Sequence, residues 1–173
     1  MKLRVGIVTV SDRSARGERA DTSGPALAAL VEEQGWVVEQ CVILPDDLPA
    51  LRDLLAHWAD GGELDLILTT GGTGFSPRDI TPEATAAVIQ RQAPGLAEAM
   101  RQESLHVTPH AMLSRATAGI RAATLIVNLP GSPQGALENL RVILPVLPHA
   151  VQLLNSDPAA ESGHRPADTQ GGQ

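Results

Sequence analysis

Apolar positions along the chain alternate between two periodicities. Residues 3–10 (LRVGIVTV) form a nearly continuous apolar run, the pattern of a strand buried on both faces of a parallel sheet. A loop rich in Ser, Arg and Gly follows over 11–21. Pro25, Leu27, Leu30 and Val31 then predict a helix that Gly35 stops. Residues 36–44 (WVVEQCVIL) predict a second strand. Leu48, Leu51, Leu54, Leu55 and Trp58 recur at helical spacing, and Gly61-Gly62 ends that helix. Residues 64–69 (LDLILT) predict a third strand, running into a glycine turn. Thr81-Pro82-Glu83 reads as a helix start, with Thr81 as capping hydroxyl, proline at the first helical position and an acid near the positive end of the dipole. That helix is expected to reach about Gln92, and another fits Pro94 to His106. Residues 123–129 (ATLIVNL) predict a further strand, ending in Pro130-Gly131-Ser132-Pro133. A helix from Gln134 carries Leu137, Leu140 and Ile143, and Pro145 and Pro148 break it into a second piece through Leu154. Residues 156–173 contain no large apolar side chain and predict a mobile tail outside a single domain over 1–155.

Strands alternating with helices imply βαβ units, right-handed crossovers and an α/β fold around a mostly parallel sheet. In such sheets the ligand lies outside the carboxyl ends of the strands. Four polar or glycine-rich segments fall at that edge: Ser11-Asp12, Asp46-Asp47, Gly71 to Asp79, and Pro130-Gly131-Ser132. Their convergence is the main indication of a site that the pattern itself supplies.

Composition narrows the chemistry. The 173 residues carry 13 Lys plus Arg against 20 Asp plus Glu, a net charge of −7. Nucleic-acid binding needs a basic surface, so this balance argues against it but leaves room for a local pocket holding a small phosphate ligand. Lys2 is the only lysine, which all but excludes a lysine Schiff base or a phosphate-loop lysine. Trp36, Trp58 and Phe75 are the only aromatics, too few for a single-strand stacking platform. Cys41 is the only cysteine, so neither an internal disulfide nor a cysteine zinc site can form. Lying within a strand, Cys41 reads as a small core side chain. No apolar run approaches the roughly 20 residues of a membrane helix, and Val5 to Val10 passes directly into Ser11-Asp12-Arg13, unlike a signal peptide. A cytoplasmic protein is expected. His106 and His110 lack metal-site spacing, with Pro109 between them.

Thr69-Thr70-Gly71-Gly72-Thr73-Gly74 is a strand followed by a glycine turn, where backbone N–H groups can cradle an anion. It matches neither the Walker loop, which needs a lysine, nor the dinucleotide fingerprint, where Pro77 replaces the third glycine. A plain turn leaving a strand is the competing reading. Asp79 can hold Mg²⁺ or cap the next turn. Arg78 can neutralise a phosphate or sit solvated at the surface. Asp46 can serve a site, but Pro-Asp-Asp is also an ordinary turn. Ser114-Arg115 lies in an irregular stretch. Asn128 to Pro133 ends a strand, and its Asn, Gly and Ser can bind a base or phosphate or simply form a turn.

Three segments carry a resemblance: VTVSDRSARGERADTSGP (Val8 to Pro25), TTGGTGFSPRDITPEAT (Thr69 to Thr85) and LSRATAGIRAATLIVNLPGSP (Leu113 to Pro133). Together they closely resemble the molybdopterin adenylyltransferase family, which takes in MogA-type chains and gephyrin G domains, over about residues 3 to 155. The resemblance implies a three-layer α/β sandwich assembled as a homotrimer. It implies transfer of AMP from Mg²⁺-bound ATP to the terminal phosphate of molybdopterin, with release of pyrophosphate and hand-over of the product to a molybdate-inserting protein. By motif position Asp79 is similar to the family's essential carboxylate and Asp46 to its second acidic residue, both candidates for holding Mg²⁺. Thr70, Gly71, Gly72, Thr73, Gly74 and Arg78 would line the cleft. Ser114, Asn128, Pro130, Gly131 and Ser132 would bind pterin and nucleotide, with Ser11, Asp12 and Asp21 nearby. Some related MoaB proteins have Gly-Asp after the glycine loop. The Arg78-Asp79 pair and Asn128-Leu129-Pro130 favour the active type over a non-catalytic, molybdopterin-binding trimer.

Overall fold

The computed structural model describes residues 1–156. The tail expected over 156–173 therefore lies, from residue 157 on, outside the described residues. The strands are β1 (Arg4–Val10), β2 (Val37–Leu44), β3 (Leu66–Thr70), β4 (Arg91–Gln92), β5 (Ala118–Arg121) and β6 (Thr124–Leu129). They form one sheet in the order β2-β1-β3-β6-β5-β4. The first four in that order run parallel, and β5 and β4 are antiparallel additions. The helices are α1 (Asp12–Ala15), α2 (Ser23–Glu33), α3 (Leu48–Asp60), α4 (Thr81–Val88), α5 (Pro94–Leu105), α6 (Pro133–Ile143) and α7 (Leu147–Leu154), with 3₁₀ turns at Pro109–Leu113 and Leu144–Val146.

Three layers result, as the resemblance implies. Alternate side chains of β1 point to opposite faces, and both faces are buried. Leu3, Val5 and Ile7 join Leu66, Leu68, Leu125 and Val127 against α2, α5, α6 and α7. Val8, Val10, Ile67 and Ile126 pack on the other face against Leu51, Leu55 and Trp58 of α3 and Ala84 and Val88 of α4. The chain leaves β1 toward β2 and leaves β3 toward β6, so the connections diverge between two adjacent strands. The resulting crevice opens at the carboxyl ends of β1 and β3, the topological switch point where such sheets bind ligands.

The structure corrects several sequence expectations. Cys41 is exposed rather than part of the core, because β2 is the edge strand and keeps much of its surface open. Thr81 does not cap α4. Ile80 holds the cap position, and the Thr81 hydroxyl donates instead to the Gly71 carbonyl at 2.8 Å. α4 stops at Val88 rather than Gln92, since Gln90 and Ala93 donate their N–H groups to Ile120 and Ala118 along the antiparallel extension. The 11–21 loop contains the short helical turn α1, capped by the Ser11 hydroxyl. β4 and β5 have no counterpart in the sequence reading. The two-residue turn joining β5 to β6 is Ala122-Ala123, with Ala122 at φ 50°, a backbone region for which Asn or Gly is the usual marker.

Candidate active site

The four expected segments meet at the carboxyl edge around a cavity of about 670 Å³, within the usual range for a small-molecule site. Thr70, Gly71 and Gly72 line it from the end of β3, and Ser11, Asp12 and Asp21 from the segment after β1. Asp46, Arg78 and Asp79 contribute a third side, and Gly131 and Ser132 a fourth.

The glycine loop is fastened from several directions. Gly71 has φ +100°, and a Cβ there would collide with the Val10 carbonyl oxygen, so only glycine fits. A Cβ on Gly131 would lie 3.1 Å from the Gly71 Cα, which shows how closely the two turns approach. Thr70 donates its hydroxyl to the Pro130 carbonyl at 2.6 Å, and Ser23 donates to the Gly131 carbonyl at 2.8 Å. Arg115 grips the far end of the loop. Its backbone N–H donates to Thr73 O at 2.8 Å. Its guanidinium donates to Gly74 O and Asp79 O, each at 2.7 Å, and pairs with Glu83. That partnership holds the Glu83 carboxyl below its ordinary value. Arg115 thus ties both ends of the segment carrying Arg78 and Asp79.

The acidic residues are unevenly committed. Asp21 accepts from the Thr9 hydroxyl at 2.7 Å and from the Ser23 and Gly24 N–H groups at the start of α2. Asp12 and Asp46 exchange reciprocal bonds: each carboxylate accepts the other's backbone N–H, at 3.0 and 3.1 Å. Arg78 reaches Asp12 at 3.5 Å. Asp79 accepts the Ser76 N–H at 2.9 Å. Burial pushes the Asp46 carboxyl above the usual aspartate range. The Asp12 N–H and Arg78 pull it down, while the Asp12 and Asp79 carboxylates add to the rise. Carboxylates crowded at the mouth of a cavity make a place where a cation is favoured. Among the described residues no three metal-ligating side chains form a closed cluster. One or two carboxylates with the remaining positions open is the donor set that Mg²⁺ shares with phosphate oxygens.

Thr73, Gly74, Ser114 and Pro130 line a second cavity of about 300 Å³. Ser132 borders both cavities and also caps α6, accepting the Gly135 N–H at 3.1 Å. One expected ligand residue does not belong to either. Asn128 is fully buried; its amide donates to the Thr69 and Thr85 hydroxyls at 3.0 and 2.8 Å and its oxygen accepts from the Thr117 N–H. Its side chain joins β6 to β3 and α4, so it fixes the bases of the loops and lines neither cavity. Arg115 is the converse case. Only its position in an irregular stretch was legible, because its partners lie 32 to 41 residues away.

A family model described as "Probable molybdopterin binding domain" matches residues 6–149. Gephyrin from Dictyostelium discoideum is 44% identical over 176 residues, covering 95% of this chain. The match takes up 24% of gephyrin, so this chain spans about a quarter of that relative. A molybdopterin adenylyltransferase from Helicobacter pylori strain J99 is 40% identical over 154 residues, 88% of each chain. Among solved structures, the molybdopterin biosynthesis enzyme MoaB from Thermus thermophilus aligns with a TM-score of 0.84 and 52% identity, covering 90% of this chain and 98% of that one.

Proposed function

From the premise that this chain belongs to the molybdopterin-binding domain family, we propose that it is a molybdopterin adenylyltransferase of molybdenum cofactor biosynthesis. Adenylyltransferase relatives at about 40% identity over most of the chain support this reading. The observation that carries it in the molecule is the pair of cavities that take successive parts of the glycine loop and are bordered in common by Ser132. A reaction joining two phosphate-bearing substrates needs such a junction.

The terminal phosphate of molybdopterin attacks the α-phosphorus of ATP in line. The bond between the α-phosphorus and the bridging oxygen breaks, and pyrophosphate leaves with its electron pair. The nucleophile is already anionic, so alignment and charge neutralisation dominate over proton abstraction. Asp79 and Asp46 would hold Mg²⁺, which would offset the phosphate charge. Arg78 adds a fixed cation, and Arg115 keeps the Asp79 segment in place. Gly71 to Gly74 approach the phosphates closely, while Ser114 and Pro130 to Ser132 contact pterin and nucleotide. Asp12 and Asp21 brace the first loop.

No helix among the described residues is long and apolar enough to cross a membrane. ATP as co-substrate supports a cytoplasmic site of action, with the product passing to a molybdate-inserting protein. Exposed Leu105 and Met112, outside both cavities, support assembly as a homotrimer, which light scattering in solution tests. A second reading, which the resemblance to MoaB-type chains with Gly-Asp after the glycine loop keeps open, is a trimer that binds molybdopterin without turnover. Incubating the protein with molybdopterin, ATP and Mg²⁺ and weighing the product by mass spectrometry decides between them. An adenylyl adduct supports the enzyme. Tight molybdopterin binding with no adduct leaves the binding trimer.

A further inference from the structure

The first loop places two arginines against the larger cavity, outside the ion pairs of this region, although the Arg13 charge helps hold the Glu18 carboxyl below its ordinary value. Arg16 is locked to Glu18 at 2.7 Å, with both side chains more than half exposed, and Arg78 is shared with Asp12. Among the described residues, neither Arg13 nor Arg19 has a carboxylate within ion-pair distance; the two ion pairs of this region are Arg16–Glu18 and Arg78–Asp12. The chain also folds back on itself here. The N–H groups of Glu18 and Arg19 both donate to the Arg13 carbonyl, at 2.8 and 3.3 Å. That turn ties Arg19 back to Arg13 through the backbone, and both residues line the cavity that Asp21 also lines.

We infer that Arg13 and Arg19 form the seat for the β- and γ-phosphates of ATP and for the pyrophosphate they become, an assignment that rests on the adenylyl-transfer reading. The cavity holds four aspartates, Asp12, Asp21, Asp46 and Asp79. A bare triphosphate is repelled by that wall and needs separate cations for its terminal groups. Arg13 and Arg19 supply them, each guanidinium a fork that matches phosphate oxygens bidentately. Asp46, Arg78 and Asp79 then remain for the α-phosphate, where the bond breaks. When the α-phosphorus bond to the bridging oxygen is cleaved, the electron pair goes to pyrophosphate. Its increased charge sits at the mouth of the cavity, from which it can leave to solvent.

The test uses the full chain, with Arg13→Gln/Arg19→Gln and Arg13→Lys/Arg19→Lys beside the wild type. Inorganic pyrophosphate with Mg²⁺ is titrated by calorimetry, with inorganic phosphate as a comparison, and KM is measured for ATP and for molybdopterin. In the double Gln variant pyrophosphate affinity is expected to fall about 100-fold, roughly tenfold for each lost set of charge-assisted hydrogen bonds. KM for ATP rises with it, and KM for molybdopterin stays within about twofold because only the triphosphate contact is removed. The double Lys variant keeps the charge and recovers part of the affinity. Both arginines are exposed, so the thermal midpoint reports whether each variant is folded. Unchanged pyrophosphate affinity and unchanged KM for ATP in a folded double Gln variant that still forms adduct overturn the seat alone. A wild type that forms no adduct overturns the adenylyl-transfer reading, and the seat falls with it.

Discussion

At the amino edge of the parallel strands, carboxylates are matched to arginines. Asp65, just before β3, accepts the Arg4 backbone N–H at 2.8 Å and two guanidinium bonds at 2.8 and 3.3 Å. Asp60, at the end of α3, accepts two bonds from Arg121, at 2.7 and 2.9 Å, and the pair holds its carboxyl below the usual range. At the carboxyl edge, among the described residues, Arg78 pairs with Asp12 at 3.5 Å and pulls on the Asp46 carboxyl, and neither Asp46 nor Asp79 has an ion pair of its own. There the Asp46 carboxyl is pushed up instead of down. The same residue types serve opposite ends. The amino edge satisfies its charges internally and contributes to stability. The carboxyl edge leaves charge incompletely matched, as binding sites do when the missing partner is a ligand.

This contrast can be broken at either edge. The largest expected effect is from Asp79→Asn, which keeps an oxygen for the Ser76 N–H but removes the charge. Adduct formation should fall by at least about 100-fold, the scale for losing one electrostatic contact to a transition state, with folding intact by circular dichroism. Arg115→Lys should lower kcat by about tenfold and move KM for ATP little, because a lysine cannot hold two carbonyls and Glu83 at once and the Asp79 segment shifts. Asp65→Ala should cost about 2 kcal/mol of unfolding free energy in a denaturant titration, since Arg4 loses its backbone and side-chain acceptor together, while KM and kcat stay as in the wild type.

Two smaller effects follow from Asp46. Its folded-state value lies above its unfolded one, so its contribution to stability is fully present only below the unfolded value. That contribution is lost as pH rises through the folded one. Asp46→Asn should therefore have a slightly higher thermal midpoint than the wild type at pH 7, with the gap closing in acid, although its activity is lost. The acidic limb of kcat/KM should move to lower pH in Asp12→Asn, which removes a like charge, and to higher pH in Arg78→Gln, which removes the cation.

Much of the carboxyl edge was legible because its residues are local in sequence. The apolar runs marked out the parallel strands, and the loops that follow them could only converge at one edge. That logic, together with the resemblance, singles out the glycine loop, Asp46 and Asp79. What escaped depends on contacts between distant segments. Asn128 looked like a ligand group because it ends a strand, but period-two alternation turns it inward onto Thr69 and Thr85. Cys41 looked buried because its strand reads as apolar, but sheet order, not composition, decides which strand is the edge. The clamp of Arg115 and the hairpin at Ala122-Ala123 gave no local pattern at all, since one needs a loop 41 residues earlier and the other lacks the usual turn residues.

The crossed measurement of adduct formation and thermal midpoint on Asp79→Asn and Asp65→Ala, prepared together, tests the division of the two edges most directly. Asp79→Asn is predicted to lose turnover with its midpoint nearly unchanged, and Asp65→Ala to lose several degrees with its turnover unchanged. Full turnover in Asp79→Asn, or a comparable loss of turnover in folded Asp65→Ala, would contradict the placement of adenylyl transfer at the carboxyl edge.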